Sequence, residues 1–381
     1  MKNKHGLIML ALGAILLTGC NGVEGGNNEQ ATTITDMVGR NVEVKPGSYK
    51  KVVCIGAGAL RLYSYVGDVK LLSGVEDIDN YTLEKRPKMF DTSARPYFLA
   101  NKEVFKKLPS CGVGGPNAQA AEAEKILSCD PDIVISEYED ADKANALQKQ
   151  LGVPVITVKY GYKGVFDEAI KNSLNLLGNI FKEEAKATKL NKYIADQKEL
   201  ISKMTKDLKS EESVYICGLG NWGTTDHLMT AQNYEPFNVA NINNVVTGLT
   251  KDGIQKIEKE KLVSLGDKID KMIIDAAAIK NIKMTDDTKL VLNSIKAWKN
   301  NEVYLQMPYN AYYTNVETAL ANTWYNAKIV YADTFKDIDM KEKVNEITKA
   351  FLNKELADEI FSCPTSFGGY QKIDVATFFN K

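Results

Sequence analysis

Histidine is nearly missing from this chain of 381 residues: there are two, His5 and His227. Bare zinc or manganese is usually held by several histidines together with carboxylates, so a resident metal site of that kind is excluded. Arginine is almost as scarce, with Arg40, Arg61, Arg86 and Arg95 set against a surface dominated by lysine. A formal charge of -1 rules out a strongly basic face, and with it a nucleic-acid partner. No cysteines sit in a C-x-x-C pair. Neither a thiolate zinc site nor a disulfide framework is therefore suggested, and Cys54 and Cys217 fall in apolar runs where free cysteine acts as a small hydrophobe. Past residue 20 no apolar run is long enough to span a bilayer.

What is present begins at the amino terminus. Lys2 and Lys4 precede an apolar run over 7–17, which ends in Leu17-Thr18-Gly19-Cys20. A short basic stretch, an apolar stretch and small residues before a cleavage point make a secretory signal. Leu-Thr-Gly-Cys resembles the lipobox of bacterial lipoproteins. That resemblance implies removal of residues 1–19 and a lipid on Cys20, so that the protein would be extracytoplasmic and lipid-anchored to the cell membrane. Residues 20–31 are rich in Gly and Asn and read as a flexible tether.

Two alternating runs over 33–44 predict a hairpin. Strand-like runs follow at 51–55, 71–75, 132–136 and 153–158, separated by helix-compatible stretches at 59–66, 120–127 and 143–151. Such alternation argues for a mainly parallel sheet covered on both faces. From 165 to about 208 a single helical pattern runs without proline, with a weak point at Gly178 and a candidate break near Lys182. The alternation then resumes, with strands at 213–217, 271–275 and 302–306 and helices at 254–262, 285–296, 316–324 and 341–352. The predicted organisation is an α/β lobe over 32–162, a connecting backbone helix over 163–208 and a second α/β lobe over 209–381. Each lobe is Rossmann-like around a mostly parallel sheet.

Over residues 32–379 this order resembles the substrate-binding proteins of ABC importers for ferric siderophores, haem and cobalamin. Ile34-Thr35-Asp36-Met37-Val38-Gly39-Arg40 followed by Lys51-Val52-Val53 is similar to that family's T-D-x-x-G-R … R-V-V start. Glu124-Lys125-Ile126-Leu127-Ser128-Cys129-Asp130-Pro131-Asp132-Ile133-Val134-Ile135 is similar to its E-x-I-L-x-L-x-P-D-x-V-I segment. Glu260-Lys261-Leu262 ahead of Ile269-Asp270-Lys271-Met272-Ile273-Ile274 resembles the second-lobe counterpart, with extra residues between. The resemblance implies two lobes on one rigid helix, a ligand cleft between them, and no catalysis or cofactor. Its implied partners are a metal-chelate small molecule and a permease dimer with its ATPase, and a monomer is expected. It further implies an exposed docking acid on each lobe, at Glu124 and Glu260.

Ligand residues are expected where strands exit into that cleft. Gly58, in Gly56-Ala57-Gly58-Ala59, could leave backbone N–H groups facing an anion. Arg61 and Arg95 could grip a carboxylate or other anionic group, with Tyr97 beside the latter in a proline-marked loop. Tyr138, Tyr160, Trp222, Tyr309 and Tyr312 supply aromatic surface at further exits. His227 reads either as a supporting ligand or as a hydrogen-bonded loop residue. A chelated iron compound is the leading ligand; molybdate or tungstate, haem and cobalamin stay open. An exported chelatase-like or metal-cluster enzyme is the remote alternative, because no base or nucleophile stands beside the cysteines.

Overall fold

Short β-branched runs bury both faces only inside a sheet covered by helices, and the chain builds two such sheets. The computed structural model describes residues 30–86, 94–115, 121–138, 140–220 and 225–379. The leader, Cys20, most of the tether and Trp222 lie outside the described residues.

Among the described residues, β1 (Thr32–Thr35) and β2 (Asn41–Val44) form the expected antiparallel hairpin. The first lobe holds β3 (Val52–Ile55), β4 (Leu72–Glu76), β5 (Ser110–Gly112), β6 (Ile133–Ser136) and β7 (Val155–Thr157). Their order is β5-β4-β3-β6-β7, parallel throughout. The second lobe holds β8 (Ser213–Cys217), a small antiparallel pair of β9 (Met229–Ala231) with β11 (Ile254–Lys256), β10 (Asn243–Asn244), β12 (Lys271–Asp275), β13 (Val303–Gln306) and β14 (Gln371–Lys372). There the order is β10-β8-β12-β13-β14, and only β14 runs antiparallel.

Side-chain alternation decides which layer each strand residue joins. Val52 and Cys54 face one apolar cluster while Val53 and Ile55 face another. In β12, Ile273 points one way and Met272 and Ile274 the other. The first of these clusters is continuous from Val42 in the first lobe, through Leu177 and Ile194, to Phe351 and Ile360. One core thus runs through both lobes.

The long helical run is not one helix. It divides into Glu168–Phe181 and Glu184–Thr205, with Lys182 left-handed at φ 57° and Glu183 N–H donating to the Gly178 carbonyl. The two pieces fold back on each other: Asn191 Nδ2 donates to the Lys171 carbonyl at 3.2 Å and to Asn175 Oδ1 at 2.7 Å. Gly178 is the reason they can. A Cβ there would lie 2.8 Å from the Ala187 Cβ and 3.3 Å from the Glu183 carbonyl oxygen. The glycine read as a weakness is a point of close approach. Glu168–Phe181 packs against helix Ala59–Val66 of the first lobe. Glu184–Thr205 carries the connection onward, with Gln197 Oε1 accepting from Trp324 Nε1 at 3.0 Å in the buried helix Val316–Val330.

Two other readings are corrected. Residues 254–262 are not one helix, because 254–256 pair with β9 and the helix begins at Lys259 (Lys259–Leu265). The proline-marked loop around Arg95 is the start of helix Pro96–Phe105, with Pro96 in the first turn, where a missing N–H costs nothing. The late helices Met340–Leu352 and Ala357–Ser362 return to pack on that helix of the first lobe.

Candidate functional site

In open α/β sheets, ligands bind beyond the carboxyl ends of strands where the strand order reverses. Here those points lie between β3 and β6 in the first lobe and between β8 and β12 in the second. Loops from the two lobes meet, and of the residues expected to bind ligand Arg61, Tyr160 and Tyr312 instead reach across to the other lobe, while Arg95, Tyr97 and Gly58 are held within their own.

Arg61 is fully buried on helix Ala59–Val66. Its Nη1 donates to the Tyr312 carbonyl at 2.9 Å, and Nη2 to the Ala311 carbonyl at 2.6 Å and Asn315 Oδ1 at 3.0 Å. Its guanidinium lies 4.8 Å from the Tyr97 ring centre. Glu317 is buried nearby, without a well-formed hydrogen bond to either carboxyl oxygen. Burial pushes the Glu317 carboxyl up, and the Arg61 charge works against that rise. The structure therefore takes Arg61 out of the cleft surface, since its fork is spent on the second lobe's loop.

Arg95 and Tyr97 are likewise internal. Arg95 Nη1 donates to Asp79 Oδ1 at 2.5 Å and to the Tyr97 hydroxyl at 2.9 Å, and that hydroxyl donates to the same Asp79 oxygen at 2.9 Å. All three side chains are essentially sealed from solvent. A loop that looked polar is a closed ion-pair cluster.

Gly58 is left-handed at φ 93°, as its turn requires, but it is not an open anion cradle. The Tyr160 hydroxyl donates to the Gly58 carbonyl at 2.8 Å, and a Cβ on Gly58 would stand 2.5 Å from that hydroxyl. Tyr160 is buried, with its ring centre 4.5 Å from that of Tyr313 of the second lobe.

Tyr312 crosses between the lobes. Its hydroxyl donates to Glu76 Oε2 at 2.7 Å and accepts from Gly115 N–H at 3.0 Å. Glu76, the last residue of β4, also accepts from Gly56 N–H at 3.0 Å. Burial pushes its carboxyl up to about 7. The second lobe holds a counterpart in Asp275, the last residue of β12. It accepts from Ala277 N–H at 3.0 Å, Gln306 Nε2 at 3.0 Å and Tyr309 N–H at 2.8 Å. Burial lifts it, too, to about 7. Tyr309 is buried against Tyr234, ring centres 5.4 Å apart. Sequence reasoning missed Glu76 and Asp275. An acid closing an otherwise apolar strand was the available signal, because such a residue must find donors at the strand end.

Among the described residues expected at the strand exits, Tyr138 and Tyr162 stay open on the surface. Tyr138, after β6, is half-buried. Tyr162, after β7, is 92% exposed. Its backbone is nevertheless fixed: Asp167 Oδ2 accepts from Tyr162 N–H at 2.8 Å and Lys163 N–H at 2.9 Å. Asn310, also half-buried, donates from Nδ2 to the Gly220 carbonyl at 3.2 Å, two residues before Trp222.

The profile of the periplasmic binding protein family matches residues 67–309. The chain belongs to that family. It is a solute-binding protein of the ABC-transporter type, a family whose place is extracytoplasmic. Solved structures agree in fold. A periplasmic solute binding protein from Veillonella parvula is 20% identical with a TM-score of 0.65, covering 88% of this chain and 96% of that one. The molybdate-bound MolA of Haemophilus influenzae is 16% identical with a TM-score of 0.64, covering 85% and 98%. Helicobacter pylori CeuE, solved as a Ni-His complex, is 15% identical with a TM-score of 0.59, covering 87% and 99%. No match to a curated protein sequence was found.

Other residues of this binding protein take plainer roles. His227 is half-buried beside Asp226, and burial holds its imidazole below the usual range. Among the described residues no group of three or more His, Cys, Asp or Glu could hold a metal ion, and no helix is long and apolar enough to cross a membrane. Cys54, Cys111, Cys129, Cys217 and Cys363 are free, and burial pushes each thiol up, away from a reactive thiolate. Glu124 and Glu260 are exposed in the first turns of helices Ala123–Ser128 and Lys259–Leu265.

Proposed function

We propose that this binding protein captures a chelated iron compound, such as a ferric siderophore, and delivers it as a monomer to an ABC permease dimer and its ATPase. The observation that carries the reading is Tyr162, an aromatic side chain presented almost bare at a strand exit on a fixed backbone, next to the exit that carries Tyr138. A flat, unpartnered ring suits an aryl or conjugated chelate face. Molybdate and tungstate fit less well, because the two arginines best placed to hold an oxyanion are spent between and within the lobes. Glu124 and Glu260 would dock on basic residues of the permease, with electrostatics fixing orientation.

Calorimetric titration with ferric siderophores, their iron-free forms, haem, cobalamin, molybdate and tungstate tests this. Submicromolar binding of a ferric chelate alone is expected, and Tyr162→Ala should cost about 1 kcal/mol, roughly fivefold in Kd. Binding of an oxyanion alone would overturn the chelate reading.

Cys20 is proposed as the lipidated residue that tethers the domain to the membrane. Cys20→Ser should abolish fatty-acid labelling and release the protein from membranes on fractionation. Retention of label would show that another residue carries the anchor.

A further inference from the structure

The two docking acids belong to a larger repeated surface. Glu124-Lys125-Ile126-Leu127 and Glu260-Lys261-Leu262-Val263 share one pattern, an acid, a lysine and two aliphatics. The structure gives the first, third and fourth positions the same environment in both lobes, whereas Lys125 is half-buried against Glu122 and Lys261 is exposed. The acid is exposed in the first helical turn, the third residue is completely buried, and the fourth is open: Leu127 is 45% exposed and Val263 44%. Positions three apart lie on one helix face, so each acid has an exposed aliphatic side chain one turn behind it.

The two helices also hold equivalent places in the fold. Ala123–Ser128 leads into β6, which pairs with β3, the first strand of its sheet. Lys259–Leu265 leads into β12, which pairs with β8, the first strand of the other sheet. Each helix descends to the start of a parallel strand, so its amino terminus stands at the carboxyl edge, the edge that borders the cleft. Ile257 N–H donating to the Leu228 carbonyl, beside the Gly218 N–H bond to the Met229 carbonyl, fixes that level in the second lobe. Among the described residues neither Glu124 nor Glu260 has a salt bridge within the protein, whereas the neighbouring Lys259 bonds Asp287 Oδ1 at 2.8 Å. A single exposed leucine signifies nothing. The same acid-aliphatic pair at the same place in both lobes is a different matter, because a surface repeated twice fits a partner that presents its own surface twice.

Resting on the importer reading, we infer that each lobe docks by a two-point contact, Glu124 with Leu127 and Glu260 with Val263. The partner is a two-fold symmetric protein that offers a basic group beside an apolar socket at each half. The acids steer and orient the encounter, and that part weakens as salt rises. The aliphatic side chains enter desolvated sockets and hold the complex once formed, a part that salt does not weaken.

The test uses the full lipidated chain with its cognate permease-ATPase complex in nanodiscs. Leu127→Ser/Val263→Ser should weaken docking at least tenfold with the salt dependence unchanged, and Glu124→Gln/Glu260→Gln should flatten the salt dependence. Leu200→Ser is the control, since Leu200 is also 44% exposed but sits on the connecting helix Glu184–Thr205. Ligand affinity and melting temperature should be unchanged in all three. Docking of the aliphatic double variant at native affinity would overturn the inference while leaving the importer reading in place. Silence of both double variants would overturn the importer docking itself. A change in self-association with no change in permease affinity would mean that a second copy covers these residues, and would overturn the inference equally.

Discussion

Arg61→Met should destabilise the protein by about 3–5 kcal/mol, the cost of breaking a buried ionic arrangement from one side. Methionine fills much of the arginine volume, so the loss is chiefly electrostatic. Three acceptors in the second lobe, the Ala311 and Tyr312 carbonyls and Asn315 Oδ1, would lose their donor inside a buried layer. Glu317 would lose the cation that opposes the upward push of burial, so its charged form would become costlier still. Lysine is a poor rescue, because a point charge cannot reproduce a fork that meets three oxygens. Arg61→Met/Glu317→Leu should recover part of the loss, since removing both charges avoids leaving one stranded. Urea unfolding is the measurement. The apolar cluster that runs through both lobes predicts a single transition. A loss below about 1 kcal/mol would show that water reaches the inter-lobe layer and that Arg61 is not buried there in solution.

Much of the frame was legible because periodicity is local. The central strands and helix Ala59–Val66 follow from β-branched runs and apolar spacing within a few residues of one another. What was not legible depends on pairs far apart in sequence. Tyr312 and Arg61 both look like cleft residues until Glu76 and the 311–315 loop are brought to them from over two hundred residues away. Arg95 looked exposed because its loop is polar, yet Asp79 and Tyr97 consume its donors. The spine shows the same limit: the pattern marks a weak point at Gly178 and a break near Lys182, where the helix does end, but not that Gly178 receives Ala187 and folds the run in half. Local pattern assigns elements, whereas which polar side chains turn inward is settled by tertiary contact.

The two strand-end acids give the binding protein a pH-dependent stability of unusual sign. Glu76 and Asp275 have folded values raised to about 7, above the ordinary carboxylate range of the unfolded chain. Between roughly pH 4 and 7 the native state therefore holds protons that the unfolded state has released. Stability must fall as pH rises through that window. Each acid contributes at most roughly 3–4 kcal/mol across it, the free-energy equivalent of its rise to about 7. Glu317 adds in the same direction. His227, held low by burial, opposes it by losing stability as pH drops through the imidazole range. Exposed acids held low by lysines, such as Glu103 beside Lys106, add little. The melting temperature should accordingly be higher at pH 5.5 than at pH 8, and Glu76→Gln/Asp275→Asn should flatten the slope by raising stability at the alkaline end. Glutamine keeps an oxygen for the Gly56 N–H and can donate to the Tyr312 hydroxyl. Asparagine keeps an oxygen for Tyr309 N–H and Gln306 but gives up the acceptor of Ala277 N–H, so the Glu76 change should supply most of the gain. If the double variant keeps the full slope, the dependence arises elsewhere. If the native protein instead gains stability towards pH 8, both carboxylates are ionised and solvated, and the inter-lobe layer built on Tyr312 is open to water.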